Sequence, residues 1–254
     1  MMDVYRRSAD ERIRLTWMGG AGFLITFGGL RIGIDIYLSD ACHGADGSFK
    51  RLTLAPCRAQ ELDLDYLIST HDHGDHFDVI SVPEMLNMNG RMKVICPSSV
   101  ITFAGNMGLD TSRFIRLDRG KMFQEETFSL QAVTADHGEE TPDAIGVIIK
   151  MGGKRIFFAG DGTWHDHYRE LTMGETGFDV LLVAINGRYG NPDSSQAADI
   201  ASMLEAKLVI PCHYWMFREH GGDPQTFVTA CLEKEPPLKP VVLAVGEAYT
   251  LQDD

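Results

Sequence analysis

The sequence predicts an α/β fold made of two similar halves. Three observations carry that expectation: a thirteen-residue segment occurs twice, two further strand segments recur at one shared offset, and each half reads hairpin, strand, loop, helix, strand. Halves built this way pack naturally sheet against sheet, with helices covering both outer faces.

The repeat begins with residues 22–34 (GFLITFGGLRIGI), which align with residues 146–158 (GVIIKMGGKRIFF) at six of thirteen positions: Gly22, Ile25, Gly28, Gly29, Arg31 and Ile32. Each copy sets β-rich residues on both sides of a Gly-Gly pair, the signature of a hairpin whose two-residue turn needs positive φ. Each hairpin then runs into an aspartate, Asp35 or Asp161. Residues 64–68 (LDYLI) match 178–182 (FDVLL), and residues 93–97 (KVICP) match 207–211 (KLVIP), both at an offset of 114. Helices are expected over 78–87 and 195–206, the second preceded by the cap candidates Asp193 and Ser194. A last helix is expected to start at Asp223-Pro224, an N-cap followed by proline in the first turn. No Pro/Ser-rich linker intervenes, so the reading is a single domain over 1–254 with halves at about 12–110 and 120–254. The first half carries an extra polar loop between Asp40 and Gln60, with Lys50, Arg51 and Arg58. A loop of that length borders a site or is mobile.

A chain of 254 residues exposes roughly 11,000 Å² folded against about 41,000 Å² unfolded, enough burial for a full core. With 44% hydrophobic and 23% charged residues, the composition excludes disorder and fibres. No apolar run approaches the ~20 residues of a membrane span. The first seven residues are polar and lack the apolar stretch of a signal peptide, so a cytoplasmic location is expected. The formal charge of −13 argues against nucleic-acid binding, which needs clustered cations. The five cysteines include no CxxC pair, so neither a disulfide framework nor a thiolate zinc site is expected.

The chemistry is concentrated in His71-Asp72-His73-Gly74-Asp75-His76, directly after the apolar strand 66–68. Three imidazoles and two carboxylates in six residues gather donors suited to borderline divalent metals. The repeat then places His213, after its own strand, in the position that Ser99 holds in the first half. Asp161 lies between Gly160 and Gly162, where a backbone can approach an ion closely. His137 follows the strand 130–134. Taken singly, Asp161 and His213 read equally as a turn aspartate and a satisfied polar residue, and His137 as a loop histidine.

Together, the His71-x-His73-x-Asp75-His76 motif followed by His137, Asp161 and His213 resembles the metallo-β-lactamase superfamily over nearly the whole chain. The resemblance implies an αββα sandwich with two metals. It assigns His71, His73 and His137 to one ion, and Asp75, His76 and His213 to the other, with Asp161 bridging. The ions expected are Zn²⁺ or Mn²⁺, with Fe²⁺ also suited. Residues 185–192 (INGRYGNP), 206–217 (AKLVIPCHYWMF) and Asp223-Pro224 further resemble the branch containing bacterial L-ascorbate-6-phosphate lactonase.

Two cations bridged by a carboxylate lower the pKa of a shared water from ~15.7 towards neutrality. Asp75 is then the expected proton acceptor. Asp72 is expected either to orient an imidazole or to cap the turn. Residues 186–189 hold the repeat position of the metal loop. Arg188 there suits an anionic group through its planar fork, or else forms a surface ion pair. Asn186, Tyr189 and His165 are further candidates for substrate contact, although His165 and His167 also read as solvated helix histidines. The function expected is a hydrolase opening a lactone on a small, phosphorylated sugar acid. A phosphodiesterase and a non-catalytic metal-binding protein are the alternatives. The partner expected is that small anion, with neither nucleic acid nor membrane; a homo-oligomer stays open.

Overall fold

The computed structural model describes residue 7 and residues 9–252. The polar stretch 1–6, which entered the reading of location, lies outside them. Two compact units are present, one made of residues 1–117 with 243–254 and the other of residues 118–242.

The first unit opens with β1 (Arg14–Gly19), β2 (Gly22–Phe27) and β3 (Leu30–Ile34). It continues through β4 (Tyr66–Ile68), α1 (Ser81–Met88), β5 (Lys93–Cys96), α2 (Ser98–Asn106) and β6 (Phe114–Arg116). The second unit runs β7 (Met122–Gln124), β8 (Phe128–Thr134), β9 (Ile145–Met151), β10 (Lys154–Phe158), α3 (Tyr168–Leu171) and β11 (Val180–Ala184). It ends with α4 (Ser194–Met203), β12 (Leu208–Cys212), α5 (Pro224–Leu232) and β13 (Lys239–Pro240). The chain then returns to the first unit as β14 (Ala248–Thr250), antiparallel to β1 with Arg14 opposite Thr250. The second half therefore stops near residue 242 and not at the C-terminus, because the edge of β1 is covered by the last strand.

The two sheets repeat one topology. Their strand orders are β14-β1-β2-β3-β4-β5-β6 and β7-β8-β9-β10-β11-β12-β13. In each, the first four strands are antiparallel and the last three join in parallel. The hairpin turns match as well. Phe27 pairs with Leu30 and Met151 with Lys154, around Gly28-Gly29 and Gly152-Gly153. All four glycines have positive φ, between 54° and 87°, as a tight hairpin turn demands. Even a side-chain contact recurs: the Arg31 N–H donates to Asp65 at 2.9 Å, and the Arg155 N–H donates to Asp179 at 2.8 Å.

The sheets are held by apolar burial. In the first unit Leu24, Leu64, Leu67, Val82, Met85 and Val94 share one buried cluster. In the second, β11 (VLLVA) and β12 (LVIPC) are buried along their whole length, as central parallel strands covered on both faces are. Helix α4 starts where its cap was expected. The Asp193 carboxylate accepts from the N–H groups of Ser195 and Gln196, both at 2.9 Å, and α5 follows the Asp223 cap with Pro224 in its first turn.

Two helices differ from expectation. Helix α1 begins at Ser81 and not at residue 78, because the buried Asp78 carboxylate ties two segments together. It accepts from the N–H groups of Leu38 and Ser39 on one side and of Ile80 and Ser81 on the other. Helix α2 (SSVITFAGN) was not anticipated. Its β-branched residues weaken helix propensity, and burial of Val100 and Ala104 overrides that. The loop between Asp40 and Gln60 is anchored by Arg51, which donates to the carbonyl of Tyr37 at 2.7 Å and lies over its ring at 5.1 Å.

Candidate metal centre

In the first unit the loop after β4 brings the expected donors together, and Asp35, directly after β3, organises them. Asp35 is fully buried at φ 44°. Its carboxylate accepts from the Thr70 N–H at 2.8 Å and from the Thr70 hydroxyl at 2.6 Å. It also faces His76 Nδ1 at 2.7 Å. Since the Thr70 hydroxyl proton goes to Asp35, its oxygen accepts from His71 Nδ1 at 3.1 Å. In the neutral form both imidazoles thus carry their proton on Nδ1 and leave Nε2 free to bind a metal.

The nitrogens of the loop crowd together. His71 Nε2 stands 3.0 Å from His73 Nδ1, and the His71 and His76 rings are 4.0 Å apart. Neighbouring ligands of a tetrahedral ion with Zn–N near 2.0–2.1 Å lie roughly 3.3 Å apart, so this spacing fits a shared divalent cation. Asp75 is partly exposed, with its Oδ2 at 3.9 Å from His76 Nε2. Gly74 lies against the sulfur of Cys42, 3.0 Å from where a Cβ would stand, so the 40–60 loop borders the metal loop. Asp72 does not orient an imidazole: it is partly exposed, and among the described residues its side chain has no hydrogen bond. Asp35 takes that orienting place.

The second unit assembles its own donors. Asp161, 4% exposed, has Oδ2 at 3.3 Å from His213 Nε2 and 3.8 Å from His137 Nε2. Asn191 donates to the same oxygen from 2.8 Å. His213 follows β12 at φ 58°, and its Nδ1 lies 3.2 Å from the amide of Asn186. Amide oxygen and nitrogen are interchangeable assignments. The amide nitrogen of Asn186 is the atom placed nearest; were His213 to bind a metal through Nε2, its Nδ1 would carry the proton and the amide would have to turn its oxygen towards it. Asn186 contacts the Nδ1 of His213 as Asp35 contacts that of His76. Both follow the C-terminal ends of strands that neighbour one another in their sheets.

The substrate candidates are spread over two loops of this unit. Residues 186–189 follow β11 as residues 71–76 follow β4. Arg188 is exposed and has no ion pair among the described residues, its Nε lying 4.0 Å from where a Gly221 Cβ would stand. Tyr189 is 56% exposed at φ 55°. His165 lies in a loop before α3, with Nε2 at 2.9 Å from Asp136, the residue preceding His137. It is a paired loop residue and not a free helix histidine.

Sequence reasoning noted Asp35 as the end of a hairpin but gave it no role. The duplication was the available signal, because Asp35 and Asp161 close equivalent hairpins.

This fold and these donors define a class, and the chain belongs to the metallo-β-lactamase superfamily. Residues 36–214 match the family described as "Beta-lactamase superfamily domain". Within it the chain belongs to the UPF0173 metal-dependent hydrolase family. It is 30% identical over 253 residues to such a protein of Symbiobacterium thermophilum, covering 94% of this chain and 100% of the relative. To another from Thermus thermophilus it is 29% identical over 231 residues, covering 87% and 92%. In structure it is similar to Igni18, described as a metallo hydrolase from Ignicoccus hospitalis. The TM-score is 0.75 at 22% identity, over 95% of this chain and 99% of the other. The α/β metallo-β-lactamase fold is that of this chain.

Proposed function

We propose that the two donor sets hold two divalent ions, Zn²⁺ or Mn²⁺ with Fe²⁺ also suited, and that the protein opens a lactone ring on a small, phosphorylated sugar acid. His71, His73 and His137 would hold one ion and Asp75, His76 and His213 the other, with Asp161 between them. What such ions supply when bound is Lewis acidity towards the carbonyl oxygen and acidification of solvent. Support for this assignment comes from the bare Nε2 atoms of His71 and His76 and from the crowding of Asp161 against two imidazoles.

The protein's own residues do the rest. Asp75, partly open to solvent, accepts the proton of the attacking water and returns it to the ring oxygen as the C–O bond breaks. Asp35 and Asn186 hold the imidazoles in register. The observation that carries the substrate class is Arg188. An exposed guanidinium with no ion-pair partner among the described residues, on a chain of net charge −13, is a cation reserved for an anion. Tyr189 and His165 flank the same unit's donors as contacts for the remainder of the substrate.

The test is turnover of the metal-loaded protein on matched lactones with and without a phosphate, alongside small phosphodiesters. Preference for phosphorylated lactones is expected. Hydrolysis of the phosphodiesters alone would overturn the reading in favour of attack at phosphorus.

A further inference from the structure

We propose that His220, which lies outside the seven-residue donor set, is an additional ligand to the ion held by His213; this rests on the dinuclear reading above. His220 is only 8% exposed, and its ring centroid lies 4.7 Å from that of His213 with the planes at 38°. A ring nitrogen of one lies within 4.8 Å of a ring nitrogen of the other. The same spacing recurs in the metal loop, where His71 sits 4.0 Å from His76 and 4.7 Å from His73. His220 therefore stands to His213 as the ligands of the first unit stand to one another.

The position is built. Phe217 packs edge-on against the His220 ring at 4.8 Å and Tyr189 approaches at 6.2 Å, so the imidazole is fixed between aromatic walls. The backbone behind it is pressed against the end of β11. The Gly221 N–H donates to the Asn186 carbonyl at 3.0 Å, and a Cβ on Gly221 would lie 2.6 Å from that oxygen. A Cβ on Gly222, at φ 90°, would lie 2.7 Å from both the Ile185 carbonyl and Tyr214. Only two glycines allow this approach, and it is the approach that carries His220 onto His213. Asn186 is thus held at both ends: its side-chain amide contacts His213 Nδ1 and its carbonyl receives the segment bearing His220. A histidine filling an apolar nook needs the aromatic walls but not a second imidazole 4.7 Å away.

His220→Phe keeps the ring volume and removes the nitrogens. The experiment loads the full chain with Co²⁺ and reads its visible absorption, with affinity for each ion from chelator competition. His213→Ala is measured in parallel. His220→Phe is expected to weaken one of the two ions by at least about tenfold and to change the Co²⁺ bands, leaving the other ion in place. His220→Gln, should the Phe variant fail to fold by circular dichroism, carries the same expectation. Unchanged affinity and bands in the folded variant, with loss of an ion in His213→Ala, would overturn the role of His220 alone. Full metal content in His213→Ala would overturn the dinuclear reading beneath it.

Discussion

His76 Nδ1 lies 2.7 Å from Asp35 Oδ2, with both side chains sealed from solvent. The carboxylate fixes the imidazole's tautomer and, through Thr70, that of His71 as well. Asp35→Asn keeps the shape and tolerates the left-handed backbone, since asparagine is among the residues that adopt positive φ. It removes the charge that orders two protons, so metal affinity should fall by about 10- to 100-fold. Chelator competition on the purified variant checks this, and wild-type affinity would sink the role given to Asp35.

Asp161→Asn probes the second unit. Its carboxylate sits within 3.8 Å of two imidazoles, and its charge is what would let two cations lie close together. Metal content by mass spectrometry should drop in this variant. His73→Ala and His213→Ala should each lose metal and abolish turnover, because under the proposed assignment each would remove a ligand from a different ion. Full metal content with normal turnover in either one would refute its assignment.

Arg188 should matter for the substrate and not for the metals. A charged hydrogen bond contributes ~1.5–3 kcal/mol, so Arg188→Ala should lower kcat/KM on an anionic substrate by about 10- to 150-fold. Arg188→Lys should recover only part, because one ammonium cannot reproduce the planar fork. Metal content should be unchanged, and a neutral analogue should lose much less. Equal losses on neutral and anionic substrates would make the residue structural.

Asp193 caps α4 through two backbone N–H groups. Asp193→Ala leaves both without that acceptor and should cost ~1 kcal/mol of stability. A denaturant midpoint at the wild-type value, with unchanged slope, would contradict the cap's contribution.

Burial pushes the thiols of Cys42 and Cys57 up to about 12, although both are only partly buried. A raised pKa keeps the unreactive thiol form dominant until pH approaches that value. At pH 8 the thiolate fraction is about 10⁻⁴, so iodoacetamide should alkylate the native protein roughly a thousandfold more slowly than free cysteine. Rapid labelling at pH 8 would show that these sulfurs are not desolvated.

Much of this was legible because the chain repeats itself. Gly28-Gly29 and Gly152-Gly153 announce two hairpins, since a two-residue turn with positive φ at both positions admits little else. The spacing of residues 71–76 marks a candidate metal loop, because so many donors after one short strand have few other uses. Capping chemistry at Asp193 and Asp223 is local, and local rules located both helix starts. Helix α2 was not legible: Val100, Ile101 and Thr102 favour a strand locally, and packing made the choice.

Which aspartate serves which histidine was decided only in three dimensions. Asp72 adjoins His71 in sequence but makes no hydrogen bond to it, while Asp35 reaches His76 from 41 positions earlier because β3 and β4 are parallel neighbours. His220 likewise meets His213 only because two glycines let its backbone press against the end of β11. By itself the sequence determined the repeat, the turns and the caps and pointed to candidate donors at residues 71–76, since each depends on residues close along the chain. The tertiary structure decided tautomers, orientations and the place of His220, because those depend on which strand ends lie side by side.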